Sequence, residues 1–120
     1  MKGEQRPIIV AIAYSVVAQK DVSHVYSYKD AKYYSISCDK VIKNVNAYDY
    51  NRKCYVTGEL RGSKCDLYDY GERKHIDLSI CGNEFEGYDY SSQRHFSGKI
   101  SGNSVEFYDY EESKYFSYSI

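Results

Sequence analysis

The stretch from Val105 to Ile120 reads Val-Glu-Phe-Tyr-Asp-Tyr-Glu-Glu-Ser-Lys-Tyr-Phe-Ser-Tyr-Ser-Ile, and the chain before it repeats the same pattern. Its Tyr-Asp-Tyr motif occurs four times at a spacing of 20 residues, beginning at Tyr48, Tyr68, Tyr88 and Tyr108. A degenerate copy, Tyr26-Ser27-Tyr28, precedes them. A fixed period of this length indicates a repeat architecture.

Apolar and polar residues alternate within each copy, which is typical of strands that bury one face. In the last copy Val105 and Phe107 point to one side, while Tyr108 and Tyr110 point to the other. A polar loop follows each Tyr-Asp-Tyr, and a Gly-containing tight turn separates successive copies. The sequence therefore predicts an all-β antiparallel meander of about ten strands, arranged as five 20-residue hairpin repeats.

The inward-facing positions alternate in bulk from repeat to repeat. They are large at Leu67 and Leu78, small at Gly87 and Gly98, and large again at Phe107, which we expect to lie beside Gly98. Alternating bulk is how a small closed sheet fills its interior. We therefore expect the sheet to close into a barrel-like or flower-like form whose interior holds side chains and little else.

On the outer face the hairpin loops predict a continuous row of aromatic side chains in which Tyr50 lies beside Tyr55. A neighbouring row is expected to place Lys99 between Glu86 and Glu106, as an ion pair on each side. The aromatic row consists of Tyr28, Tyr33, Tyr50, Tyr55, Tyr70, His75, Tyr90, His95, Tyr110 and Tyr115.

Residues 1–21 form an apolar N-terminal segment that allows two interpretations. Lys2 and Arg6 before the apolar run from Ile8 to Ala18 are typical of a secretory signal peptide, cleaved after Ala18, of a secreted or periplasmic protein. Alternatively, the run is a first strand or short helix that covers one end of the core of a cytoplasmic protein. It is too short for an integral membrane segment. Residues 22–120 form the single hairpin-repeat domain.

Four cysteines fit either interpretation. They contain no Cys-x-x-Cys pair, which gives a zinc or thioredoxin-like site no support. In an exported protein two disulfides are possible, in three connectivities, and in a cytosolic protein these residues are thiols. The four are Cys38, Cys54, Cys65 and Cys81.

The charge balance bears on the class of partner. The chain has 16 Lys and Arg against 17 Asp and Glu, and a net charge of −1. A protein that binds nucleic acid needs a concentrated basic face, so we expect no nucleic-acid partner.

The recurrent Asp49, Asp69, Asp89 and Asp109 allow two interpretations. A ring of carboxylates at one rim is suited to a hard cation such as calcium. A repeated loop also needs a repeated capping Asp, whose side chain accepts hydrogen bonds from backbone N–H groups two residues on, and we favour this second interpretation.

The histidines and serines offer no catalytic constellation. His75 and His95 are two strand spacings apart in the predicted register and occupy positions held elsewhere by Tyr, so we interpret them as aromatic substitutes rather than metal ligands. No Gly-x-Ser-x-Gly elbow and no Cys with a neighbouring His are present. We therefore expect a non-enzymatic protein with no catalytic residues, no metal site and no cofactor.

The outward tyrosines are the candidate contact residues, because Tyr offers a large, fairly rigid surface with a polar tip and is enriched at interfaces. Alternatively, Tyr occurs here only because it suits exposed strand positions, and repetition of the 20-residue unit accounts for the number of tyrosines. Two functional hypotheses follow. The first is a structural or protein-binding role, including self-association, and the second is an exported protein that binds a glycan or a small ligand. The candidate binding residues are Tyr50, Tyr70, Tyr90, Tyr110, His75 and His95.

A Tyr-Asp pair that opens a hairpin loop closed by Lys or Arg, in units of about 20 residues, resembles the Tyr-Asp (YD) repeats of bacterial polymorphic-toxin shells and surface proteins. The loops here are one residue longer and lack the Gly usual before the basic residue. The chain also resembles small bacterial proteins of symmetric hairpins. The resemblance implies a β-hairpin repeat fold and transfers no catalytic residue. It is carried by Tyr68-Asp69 with Lys74, Tyr88-Asp89 with Arg94, and Tyr108-Asp109 with Lys114.

Overall fold

One helix and ten strands make up the protein in the computed structural model, which describes residues 1–120. Each strand pairs antiparallel with its neighbours in the chain, and β1 also pairs with β10, which closes the sheet into a barrel. The predicted all-β meander and its closure are thus confirmed. The elements are α1 (Arg6–Ala18), β1 (Val22–Ser27), β2 (Lys32–Cys38), β3 (Asn44–Asp49), β4 (Cys54–Arg61), β5 (Lys64–Asp69), β6 (Lys74–Cys81), β7 (Glu84–Asp89), β8 (Arg94–Ser101), β9 (Ser104–Asp109) and β10 (Lys114–Ser119).

The helix α1 fills the interior of the barrel. Pro7 near its start supplies a helical φ, and Gln19 in the left-handed region ends it. Ile8, Ile9 and Ile12 are fully buried, and apolar residues surround the helix, as expected for one enclosed by a core. The first segment is the buried short helix that one of the two interpretations predicted. The expectation that this helix covers only one end of an interior filled by side chains was wrong, because ten strands enclose more room than side chains fill. The 13 residues of α1, the only helix, are too few to cross a membrane.

The predicted alternation of bulk on the inner face is confirmed. Gly98 lies opposite Phe107, and Leu78 lies opposite Gly87. A Cβ atom at Gly98 would overlap the ring of Phe85 and the backbone of the adjacent strand. The missing side chains therefore let aromatic rings lie directly against the backbone, and the barrel interior is tightly filled around α1.

The two kinds of turn have different backbone chemistry. Gly62, Gly82 and Gly102 have φ values of 61 to 63° at the first central position of a two-residue turn, as in a type II′ hairpin. The four loops after Tyr-Asp and the equivalent loop after Ser27 have four residues each, and a residue other than Gly takes a positive φ at the fourth position in every copy. The five are Ala31, Lys53, Arg73, Gln93 and Ser113.

Glycine at these fourth positions is expected to stabilise the protein. A left-handed residue with a Cβ costs about 1 to 2 kcal/mol, and the added freedom of Gly in the unfolded chain offsets part of the gain. Gln93→Gly and Ser113→Gly should each raise the free energy of unfolding by about 0.5 to 1 kcal/mol. Urea unfolding measures the change in the free energy of unfolding. The control is Glu112→Gly, which should lower stability because Glu112 is a loop residue without a positive φ. An equal loss in all three variants would contradict the expectation.

The register of the Tyr-Asp hairpins differs from the prediction by two residues. Tyr55 lies opposite Tyr48 and not Tyr50, because the loop begins directly after Asp49, which pairs with Cys54. Asp49 Oδ1 accepts hydrogen bonds from the N–H groups of Asn51 and Arg52, and these bonds fix the four-residue loop. The predicted single row of aromatic side chains is therefore replaced by clusters of three rings.

The same shift changes the neighbours of Lys99. It lies between Glu84 and Glu106, while Glu86 faces Ser97. The structure contains no salt bridge at Lys99, so the predicted ion pairs with Glu86 and Glu106 were wrong.

Candidate functional site

Five aromatic triads stand on the outer wall of the barrel, one at each Tyr-Asp hairpin or its degenerate copy. In each triad two flanking rings meet a central tyrosine, with ring centroids 4.7 to 5.1 Å apart and ring planes at 63 to 85°. We call the five triads together the aromatic belt. Central ring first, they are Tyr26 with Tyr28 and Tyr33, Tyr48 with Tyr50 and Tyr55, Tyr68 with Tyr70 and His75, Tyr88 with Tyr90 and His95, and Tyr108 with Tyr110 and Tyr115.

Strand geometry builds each triad. Tyr68 and Tyr70 are two residues apart and so point to the same face, and His75 lies directly opposite Tyr68 on β6. Edge-to-face contacts of this kind add about 0.5 to 1.5 kcal/mol per pair to the burial of the rings. The rings are therefore held in place before any partner arrives.

All six predicted binding residues flank a central tyrosine and are exposed. The exposed fractions of Tyr50, Tyr70, Tyr90 and Tyr110 are 56, 55, 45 and 51%. The central tyrosines are partly buried by their neighbours. The belt thus presents ring edges and faces, together with hydroxyl groups, to solvent.

The two histidines take part in the triads as aromatic rings. His75 and His95 each pack edge-on against a central tyrosine at 4.9 Å, at the position that Tyr55 and Tyr115 hold in other repeats. His95 also lies 6.5 Å from Tyr110 and links the last two triads. No group of three His, Cys, Asp or Glu side chains is arranged to hold a metal ion.

The four repeated aspartates form a buried ring at the rim of the barrel next to the Tyr-Asp loops. Each accepts a hydrogen bond from the N–H two residues on, at Asn51, Gly71, Ser91 and Glu111. They therefore act as capping residues of the turn. The ring consists of Asp49, Asp69, Asp89 and Asp109, each at most 1% exposed.

Cations from the chain itself occupy this carboxylate ring. Arg52 Nε lies 2.8 Å from Asp49 Oδ2, and its Nη1 lies 3.0 Å from Asp69 Oδ2. Arg6 Nη1 lies 2.8 Å from Asp109 Oδ2, and the Met1 amino group lies 3.4 Å from the Oδ1 of the same residue. Burial lowers the pKa of Arg52, but the bond to Asp49 and the charge of Asp69 outweigh it and raise the pKa. The ring thus binds the helix end and the loops together.

Sequence reasoning missed the roles of Arg6 and Arg52. Arg6 entered only as part of the signal-peptide layout, one of the two interpretations of the N-terminal segment. In the structure its side chain is buried and also donates a hydrogen bond from Nε to the Tyr118 hydroxyl at 3.1 Å. The sequence did contain a signal for such cations. The four aspartates occupy inward-facing strand positions, and their own strands supply no Lys or Arg on the same face.

The thiols offer no activated nucleophile in the core. All four cysteines are free, and Cys38 and Cys65 are buried. Burial raises the pKa of both thiols to about 11, and it also raises that of Cys54. These groups stay protonated near neutral pH and are unreactive there.

No protein-family model, no curated protein and no solved structure matches the chain. The resemblance to YD repeats therefore stays a prediction that rests on the tyrosine, aspartate and basic residues of the repeats.

Proposed function

We propose that the protein is a non-enzymatic module that binds a partner protein through the aromatic belt. The observation that carries the proposal is the exposure of nine large apolar side chains, eight of which are tyrosines of the belt. Tyrosine is enriched at protein interfaces because its ring buries much apolar area while its hydroxyl keeps a hydrogen bond.

Rigidity supports the same role. Ten of the fifteen belt rings lie on the strands of a closed barrel, and the other five stand on the first loop residue after a strand, where each already packs against a central ring. A side chain that is fixed before binding loses little conformational entropy in the complex, so more of the contact energy appears as affinity. A closed barrel also has no free sheet edge, so the outer wall and loops are the surfaces on which a partner can dock.

The second candidate is an exported glycan or small-ligand binder. The exposed tyrosine rings favour it, since sugars stack on aromatic faces. The absence of Trp weighs against it, because sugar-stacking surfaces usually include that residue. Helix α1 fills the interior, so a ligand of this kind would bind on the outer wall.

Replacing Tyr70, Tyr90 and Tyr110 by Ser should abolish partner binding while the fold is kept. Truncation of interface tyrosines costs about 1 to 2 kcal/mol each, so we expect the dissociation constant to rise at least about 100-fold. Proteins of the native host retained by the immobilised protein are identified by mass spectrometry, and the affinity of the purified partner is measured by calorimetry.

The control variant replaces three exposed residues at the opposite end of the barrel, Arg61, Lys64 and Asn103, by Ser. Its affinity should stay within about twofold, since these side chains lie away from the belt. Equal binding by the triple tyrosine variant would remove the belt from the proposal. Binding to an immobilised glycan panel, with no protein retained, would favour the second candidate.

A further inference from the structure

One open groove on the outer wall lies across β5 to β7 and is lined by rings of the third and fourth triads. Its volume is about 890 Å³, and Tyr88, Tyr90 and His75 line it together with the carboxylates of Asp66 and Asp77. Belt rings and carboxylates also meet at a second groove, where Tyr108 and Tyr115 lie with Glu84, Glu86 and Glu106, but there Lys99 lies between two of the carboxylates. The groove at Asp66 and Asp77 is set apart by two carboxylates that are directly opposed.

The two carboxylates stand directly opposite each other. Asp66 on β5 pairs with Asp77 on β6, and both are exposed. Like charges at directly opposed positions of a sheet are destabilising. The equivalent pairs in the other three full repeats hold at most one acidic residue: Asn46 with Thr57, Glu86 with Ser97, and Glu106 with Ser117. The repeat therefore does not require this repulsion.

No cation of the chain forms a salt bridge with the pair. Arg73 and Lys74 lie along the same groove, yet neither forms a salt bridge with Asp66 or Asp77. Asp77 Oδ2 accepts a hydrogen bond from the Tyr90 hydroxyl at 2.9 Å, and this bond raises the pKa of Tyr90. The aspartates of the buried ring, by contrast, have Arg6, Arg52 and the Met1 amino group beside them.

We infer that this groove receives an arginine side chain of the partner protein that the belt binds. The two carboxylates supply the negative charge, and the adjoining rings of Tyr88 and Tyr90 supply flat faces. A guanidinium is planar, pairs with carboxylates through two N–H groups and stacks on aromatic rings, whereas an ammonium is a compact point charge. This inference rests on the proposed function and names the chemistry of its partner.

The test is an NMR titration of the whole protein with the peptide acetyl-Gly-Arg-Gly-amide. The same peptide with citrulline in place of arginine serves as the neutral control. We expect saturable shifts of the backbone amides of Asp66, Asp77 and Tyr88 with the arginine peptide and none with the citrulline peptide. No saturable shift, or equal shifts with both peptides, would overturn the inference. Saturation of these amides by calcium chloride, without a response to the arginine peptide, would also overturn it.

Matched variants separate a specific site from general attraction. Asp66→Asn with Asp77→Asn should weaken arginine-peptide binding at least 10-fold, while Glu86→Gln with Glu106→Gln, which removes the same charge from the same wall, should leave it within twofold. Equal loss in both would contradict a specific site. Because the asparagine variant also removes the repulsion, its Tm should rise by about 1 to 4 °C. An unchanged or lower Tm would contradict the repulsion on which the inference depends.

The two proposals fail in distinguishable ways. If the triple variant of Tyr70, Tyr90 and Tyr110 loses the partner while the Asp66 and Asp77 variant keeps its full affinity, the belt is the contact surface and the arginine site is wrong. If the arginine peptide binds as expected and the triple tyrosine variant keeps the partner, the groove binds arginine but the aromatic belt is not the contact surface for the partner.

Discussion

Ile12→Asp is expected to unfold the barrel. Ile12 lies in the middle of α1 and is fully buried, so the change removes a core side chain and places a carboxylate where no cation can reach it. Loss of a buried Ile alone costs about 2 to 5 kcal/mol, and the charge adds several more. The sum is comparable to the whole stability of a domain of this size, which is about 5 to 15 kcal/mol.

Far-UV circular dichroism and size-exclusion chromatography measure the loss of the fold. Ile42→Asp is the matched control, because Ile42 is 71% exposed in the loop between β2 and β3 and its replacement should leave both signals unchanged. A folded Ile12→Asp protein with an unchanged elution volume would show that α1 does not fill the barrel. Removal of residues 1–18 tests the same point, since it takes away the whole helix.

Arg52→Met should produce the second large effect. Arg52 bridges Asp49 and Asp69, two carboxylates that are almost completely buried. Breaking a buried ion pair by removing one partner costs about 3 to 5 kcal/mol, because the remaining charge has no counterion and little water. Met keeps most of the volume of the side chain, so the charge is the main quantity that changes.

Urea unfolding gives the difference in the free energy of unfolding. Arg61→Met is the control, since Arg61 pairs with Glu59 in an exposed salt bridge and should lose no more than about 1 kcal/mol. Similar losses in the two variants would mean that the aspartate ring is open to solvent and that Arg52 does not bind its loops together.

The repeat period and the alternation of side chains were enough to predict the fold class, because both depend only on which face of a strand each residue takes. The register of the Tyr-Asp hairpins could not be obtained in this way. A shift of two residues keeps every side chain on its own face, so the alternation does not detect it. The hydrogen bonds of Asp49 to its own loop decide the length of that loop.

The register also decides how the candidate site is arranged. The predicted row places Tyr70 beside His75, which puts Asp77 opposite Tyr68, whereas the structure pairs Asp77 with Asp66. The outward direction of Tyr50, Tyr70, Tyr90 and Tyr110 was predictable from the strand period alone. Their grouping with central tyrosines into triads and the opposed carboxylates both follow from the two-residue shift, so neither was visible in the sequence.

The position of α1 was beyond sequence reasoning for a different reason. The run from Ile8 to Ala18 is apolar in every direction, which suits a signal peptide and a buried helix equally well. The strands carry a complete alternating pattern of their own, and that pattern does not show how wide the barrel is. The diameter depends on strand number and stagger, and the stagger follows from the register.

Native-state hydrogen exchange of the amides from Ile9 to Tyr14 tests the central claim, that the barrel closes around its own N-terminal helix, most directly. Amides at the centre of a cooperative core exchange only through global unfolding. We predict that these amides exchange as slowly as the most protected amides of β5 to β9, with the same dependence on denaturant. Exchange of Ile9 to Tyr14 in a low-energy opening, while the strands remain protected, would show that the helix lies outside the core.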